Sequence, residues 1–113
     1  MKNLSIVIPC LNEAETLGIC LEKIHKVMSN FDQFDYELIV VDNGSTDESV
    51  NIAKKYKAQI IKENNKGYGN ALKTGIKAAK NEYVVFADAD DSYNFSDLDK
   101  FINKAKEGYE LIN

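Results

Sequence analysis

Arginine is absent from this chain, and all 14 of its cations are lysines, spread without a basic stripe. With a formal net charge of -4, that distribution argues against nucleic acid as a partner. Any phosphate recognition must rest on Lys, backbone amides or a metal ion, because no bidentate guanidinium is available. Histidine occurs once, at His25, and no Ser, His and Asp arrangement suggests nucleophilic hydrolysis. His25 flanks the apolar face of a helix and reads as a boundary residue. The two cysteines, Cys10 and Cys20, match no zinc-ligand spacing, and both are expected as free thiols of a reducing compartment. No apolar run approaches membrane-spanning length, and Met1-Lys2-Asn3 leads straight into a short strand rather than a signal sequence. A cytoplasmic location is expected for this stretch, with the cytoplasmic face of a membrane open to a longer parent. Repeats and low-complexity segments are missing as well.

What is present describes one ordinary globular domain. The 113 residues suffice for a buried core without staples, and 44% hydrophobic with 28% charged residues is the composition of a soluble fold. Apolar strands are read at Leu4 to Ile8, Leu38 to Val41, Ala58 to Lys62 and Tyr83 to Ala87. Between them lie helical patterns. Leu17, Leu21, Ile24 and Met28 step by 4, 3 and 4 after a capping stretch at Asn12-Glu13-Ala14-Glu15. Ser45-Thr46-Asp47-Glu48 has capping-box spacing and is expected to open a helix through Tyr56. Phe31 to Phe34 reads as a loop.

A third helix carries Ala71, Gly75 and Ala79 on one face, a spacing that allows close backbone approach. Ser96 is expected to cap a fourth helix with a Leu98, Phe101, Ile102 and Ala105 stripe, stopped near Gly108. Tyr109-Glu110-Leu111-Ile112 looks like the start of a fifth strand, so a truncated or excised domain is expected. Strict alternation of strand and helix implies a mostly parallel α/β sheet with right-handed crossovers.

Three strands run into polar, acid-bearing loops: Pro9-Cys10-Leu11-Asn12-Glu13, Asp42-Asn43-Gly44-Ser45 and Asp88-Ala89-Asp90-Asp91. In a parallel sheet these loops share the carboxyl edge, where open α/β sheets place ligands. Carboxylates so close repel unless a cation compensates. Mg²⁺ or Mn²⁺ suits an Asp-x-Asp at a strand end, since it takes one or two carboxylates and fills its other positions with water and phosphate oxygens. A solvated acidic turn serving the next helix is the other reading, with Asp97 and Asp99 near its start.

Asp42 either accepts hydrogen bonds from a ribose or base or merely finishes its strand. Gly44 permits a tight turn. Asn12, Ser45 and Asp47 read alone as caps, and Tyr93 as the aromatic placed to touch a ligand. Two decoys fail. A calcium loop from Asp88 to Asp99 lacks the Gly required where Tyr93 stands. Gly67-Tyr68-Gly69 has Leu72 at the third glycine of a dinucleotide fingerprint, though it suits a loop near a diphosphate with Lys66 beside it.

Together the loops resemble the nucleotide-sugar half of a family 2, GT-A-type glycosyltransferase. Ser5 to Glu13 is similar to that family's opening strand and loop, and Val40 to Asp47 to its second motif. Asn65-Lys66-Gly67 with Gly69 resembles its third region, and Phe86 to Asp90 its Asp-x-Asp. Residues Asp88 to Phe101 look most like the branch that transfers sugars to polyprenyl phosphates, such as dolichyl-phosphate sugar synthases.

The resemblance implies a Rossmann-like GT-A three-layer sandwich, of which residues 1–113 would form the donor-binding part without the acceptor part. It implies that Pro9, Asn12, Glu13 and Asp42 line the base and ribose pocket. Lys66 and Gly67 would lie near the nucleotide, Asp88 near ribose or metal, and Asp90 on a Mg²⁺ or Mn²⁺ ion. A UDP-sugar or GDP-sugar would be the donor and a polyprenyl phosphate a candidate acceptor. The reaction would be inverting transfer, with the catalytic base or acceptor site outside this chain. Asn43 replaces an Asp common in the second motif, a loss of one charge expected to do little damage. Ser92 stands where some lipid-carrier enzymes have a third metal ligand. Two other functions compete. Val84 to Ser92 resembles the first motif of haloacid dehalogenase-type phosphatases, with Asp88 as nucleophile and Asp90 as general acid. A non-catalytic binding fragment that self-associates through an exposed sheet edge is the other.

Overall fold

In the computed structural model, residues 2–31, 34–89 and 95–106 are described. Four strands, β1 (Lys2–Cys10), β2 (Phe34–Asp42), β3 (Gln59–Lys62) and β4 (Tyr83–Phe86), alternate with four helices. These are α1 (Ala14–Met28), α2 (Ser49–Lys55), α3 (Tyr68–Ala78) and α4 (Phe95–Lys106). All strand pairs are parallel, in the order β3-β2-β1-β4. The chain steps outward from β1 through β2 to β3, then crosses back to lay β4 on the other side of β1. That reversal makes a topological switch point between β1 and β4.

Burial follows from the strand period. Leu4, Ile6 and Ile8 alternate with Val7 along β1, and all four are fully buried because both sheet faces are covered. Leu4, Ile6, Ile8, Leu38 and Val40 pack with Leu17, Leu21 and Ile24 of α1, Ala53 of α2, and Leu98 and Ile102 of α4. Val7, Ile39 and Val41 form the opposite face with Ala71 of α3. The expected three-layer α/β sandwich is therefore observed. The small-residue face of α3 has a direct consequence: a Cβ built on Gly75 would lie 2.2 Å from Val7 Cγ1. Only the missing side chain lets α3 sit this close to the sheet.

Three local expectations are corrected. Helix α2 starts at Ser49, not at Ser45, because Ser45 and Asp47 turn toward α1 instead (below). Phe34 belongs to β2 rather than to a loop, and packs buried, edge-on against Phe31. Ser96 lies inside α4, whose first residue is Phe95. The expected fifth strand and the Gly108 stop lie outside the described residues. Cys10 and Cys20 are both buried thiols. His25 is more than a boundary residue. Its Nε2 donates to the Tyr56 carbonyl at 2.9 Å, and its Nδ1 shares a hydrogen bond with the Tyr36 hydroxyl at 2.6 Å. Among the described residues no helix is long and apolar enough to cross a membrane.

Candidate functional site

The two central strands end level. Cys10 pairs with Asp42 in register, and the Asn43 N–H donates to the Cys10 carbonyl at 2.9 Å. The loops after β1 and β2 thus begin at the same height above the sheet. Glu63 N–H donates to the Asp42 carbonyl at 2.9 Å, bringing the β3–α3 connection to the same edge. On the other side, Ala87 N–H donates to Val7 O at 3.0 Å and delivers Asp88 beside β1.

The first two loops are zipped together by backbone donors and side-chain acceptors. Three successive N–H groups at the start of α1 donate across the gap. Asn12 N–H reaches Ser45 Oγ at 2.9 Å, Glu13 N–H reaches Ser49 Oγ at 3.0 Å, and Ala14 N–H reaches Asp47 Oδ2 at 3.1 Å. In return the Asn12 side-chain oxygen accepts the Thr46 N–H at 2.8 Å. Asp47 Oδ1 also accepts the Ser49 N–H and hydroxyl, so one carboxylate serves the starts of two helices. These orphan donors are the ones a helix N-terminus exposes. The Ser49 hydroxyl, ahead of the other contacts, holds the Asp47 carboxyl below the usual carboxylate range.

Asn12 is therefore no cap of its own helix. It sits at φ 53, in the left-handed region Asn tolerates, and ties loop to loop. Nor does Ser45 cap α2. Asp42 is buried and accepts the Gly44 and Ser45 N–H groups at 3.2–3.3 Å, while Gly44 takes the expected positive φ of 106.

The loop after β4 is fixed from α1. Thr16 Oγ1 donates to the Ala89 carbonyl at 2.5 Å, and Cys20 Sγ to the Asp88 carbonyl at 3.2 Å. Placed one turn apart, these side chains hold the backbone of the Asp-x-Asp start against the helix.

An open cleft of about 250 Å³ lies at the β1/β4 switch point. Pro9, Glu13, Gly67 and Asp88 line it, whereas Asn12, Asp42 and Lys66 are not among its lining residues. Cys10, Leu11, Asn43, Tyr68 and Ala89 also line it; their loops were expected at this edge, but none of the five was singled out as a site residue. Leu11 and Tyr68 are large apolar residues left 43% and 57% exposed at a cleft wall, an arrangement suited to contact with a flat ring. The sequence signal for Tyr68 was its place between Gly67 and Gly69; Tyr93, favoured as the ligand aromatic, lies outside the described residues. The Cys10 thiol is pushed up by burial, which keeps it protonated and leaves oxygen donors as the charged ligands of the cleft. Asp88 is half-buried at this edge, and Asp90 and Asp91 lie outside the described residues. Among the described residues no three acidic, His or Cys side chains converge as a metal cluster.

The loops after β1, β2 and β4 and the β3–α3 connection thus meet at a switch-point cleft, where open α/β sheets place ligands. Residues 5–112 match the model of glycosyl transferase family 2, and the chain belongs to that family. It is 36% identical over 108 residues to an uncharacterized glycosyltransferase of Mycobacterium tuberculosis, covering 96% of this chain and 46% of that protein. It is 34% identical over 111 residues to human dolichyl-phosphate beta-glucosyltransferase, covering 88% and 34%. Among solved structures, glucosyl-3-phosphoglycerate synthase of Mycobacterium tuberculosis, in complex with Mn²⁺, UDP and glucosyl-3-phosphoglycerate, superposes with a TM-score of 0.67. That match has 31% identity and covers 78% of this chain and 33% of the other. The same synthase is also solved with Mg²⁺ and UDP. The chain thus spans less than half the length of these relatives, all of them glycosyltransferases.

Proposed function

We propose that this chain forms the donor-binding part of an inverting glycosyltransferase that takes a sugar from a nucleoside diphosphate. The observation that carries the reading is the cleft at the β1/β4 switch point, with Asp88 presented by β4 and Glu13 and Pro9 by β1. UDP is the favoured nucleotide, supported by the complex of the synthase at 31% identity; GDP is the alternative. A polyprenyl phosphate is the favoured acceptor class, supported by the likeness to the dolichyl-phosphate enzyme. Such an acceptor supplies its own anionic oxygen. The oxygen attacks the anomeric carbon as the bond to the diphosphate breaks, with inversion. Its binding surface would come from chain beyond this stretch.

The cleft fits a divalent cation of the Mg²⁺ or Mn²⁺ type, because its charged donors are carboxylate oxygens and its one thiol stays protonated. Asp88 and Asp90 would hold the ion, which when bound neutralises charge on the diphosphate leaving group. The chain's own residues position the donor. The α1 contacts from Thr16 and Cys20 fix the backbone of Asp88 and Ala89. Leu11 and Tyr68 offer apolar surface for the base, and Lys66, next to Gly67, the nearest cation of the connection. Asp42, implied by the resemblance to meet ribose or base, acts here from behind the cleft wall by supporting the second loop through Gly44 and Ser45.

Replacing Asp90 with Ala tests the reading. Nucleotide affinity is expected to lose its metal dependence while the circular dichroism spectrum is kept. Equal affinity in wild type and variant, with and without EDTA, overturns the metal role. The phosphatase reading has no such support, since the family match spans the same Asp88 segment.

A further inference from the structure

Asn43 is only 7% exposed, yet it bridges three of the four polypeptide segments that build the cleft. Its backbone N–H donates to Cys10 O at 2.9 Å. Its side-chain Nδ2 donates to Glu63 O at 3.0 Å and to Asn65 O at 3.3 Å. Both side-chain partners are carbonyls, and both belong to the connection that ends in Gly67 and Tyr68, one wall of the cleft. We infer that Asn43 is a positioning residue: its amide latches the β3–α3 connection to the loop after β2 and so sets the width of the nucleotide cleft. This inference rests on the donor-binding reading above.

Donor chemistry decides the matter. An amide nitrogen carries two N–H groups, and here both have acceptors. An ionised carboxylate has none and would point negative oxygens at two carbonyl oxygens in a buried setting. The charged and titratable neighbours add to the penalty. They are Cys10 from β1, Glu13 before α1, Asp42 on the same loop, Glu63 and Lys66 on the connection, and Asp88 after β4. Four of these six are acids, so an Asp at this position would have its pKa raised by burial and by like charge. A neutral carboxyl keeps one O–H donor and restores part of the latch. Other contacts hold the base of the connection, namely Glu63 N–H to Asp42 O at 2.9 Å, Asn65 N–H to Glu63 Oε2 at 2.9 Å, and Thr74 Oγ1 to Glu63 Oε1. Asn70 Nδ2 to Lys66 O at 3.2 Å and Ala71 N–H to Gly67 O at 3.1 Å tie the far end to α3, so loss of the latch loosens the segment from Asn65 to Tyr68 against the second loop without unfolding the sheet.

The test compares wild type, Asn43→Asp and Asn43→Ala for UDP affinity with Mn²⁺ and for amide hydrogen exchange without nucleotide, across pH 5 to 8. Asn43→Asp is expected to bind UDP about tenfold more weakly than wild type at pH 8, from the loss of two buried hydrogen bonds. The deficit should shrink toward pH 5 as its carboxyl takes up a proton. Asn43→Ala is expected to be weakened at every pH by a constant ratio. Exchange of the residue 65–68 amides should accelerate in both variants, and slow again at low pH only in Asn43→Asp, each rate being scaled to wild type at the same pH. A constant Asp-to-wild-type ratio across pH, or wild-type exchange rates in the variants, overturns the latch. If wild type binds no UDP, the donor-binding reading fails, and the exchange arm still decides the latch by itself.

Discussion

Asp47 lies 33 residues after Ala14, yet its Oδ2 accepts the Ala14 N–H at 3.1 Å and closes the start of a helix to which it does not belong. With Ser45 and Ser49, it turns the second loop into the cap of α1. Order in the first loop, and so in Pro9 and Glu13, depends on order in the second. The cleft is built by mutual support of its walls more than by any one of them.

That pairing sets a pH dependence. The Asp47 carboxyl is held below its ordinary range, so it contributes stability that is present above its unfolded pKa and lost as pH falls through its folded value. Asp47→Asn is expected to lower the melting temperature at neutral pH. The difference from wild type should narrow as pH drops below the usual carboxylate range. A difference independent of pH would show that the carboxylate charge does not contribute.

Asn12→Ala tests the return contact. The variant loses the acceptor of the Thr46 N–H and places Ala at φ 53, at an expected cost of about 1–3 kcal/mol. Asn12→Gly keeps the backbone at ease and loses only the hydrogen bond, so it should unfold at a higher denaturant concentration than Asn12→Ala. Equal midpoints would remove the strain argument.

At Gly75 the prediction concerns packing. A Cβ there collides with Val7 Cγ1, and overpacking of this kind costs about 1–3 kcal/mol, more than the roughly 1 kcal/mol that Ala gains over Gly in a helix. Gly75→Ala should therefore destabilise. Val7→Ala alone opens a cavity, but combined with Gly75→Ala it should cost less than the sum of the two. Additive unfolding free energies would contradict the close approach.

Cys20 and Thr16 carry a functional prediction. Cys20→Ala with Thr16→Val removes both donors to the Asp88 and Ala89 carbonyls. Metal-dependent UDP affinity is expected to fall about tenfold. Titrating UDP with Mn²⁺ into the folded double variant checks this, and unchanged affinity would show that the Asp88 segment needs no hold from α1.

Much of the fold was legible because it rests on local pattern. The continuous apolar run of β1 marks a strand covered on both faces, and the 4, 3, 4 stepping of Leu17 to Met28 and the Ala71/Gly75 spacing each imply one burial face, on which the buried residues lie. The gathering of the polar loops at one edge followed from strand alternation. The fates of Ser45, Asp47 and Asn12 were not legible. Capping preferences describe neighbours in sequence, and these side chains found partners across 33 or 34 residues. The double donation of Asn43 to the Glu63 and Asn65 carbonyls was not legible for the same reason, since only the assembled loops display it.

The most direct test of the donor-binding reading is calorimetric titration of UDP and GDP into this chain, each with Mn²⁺ and again with EDTA. The donor-binding reading predicts saturable binding of one nucleotide, UDP being favoured by the likeness to the UDP-bound synthase, lost on chelation. Absence of binding for both nucleotides, or binding indifferent to EDTA, would contradict the account.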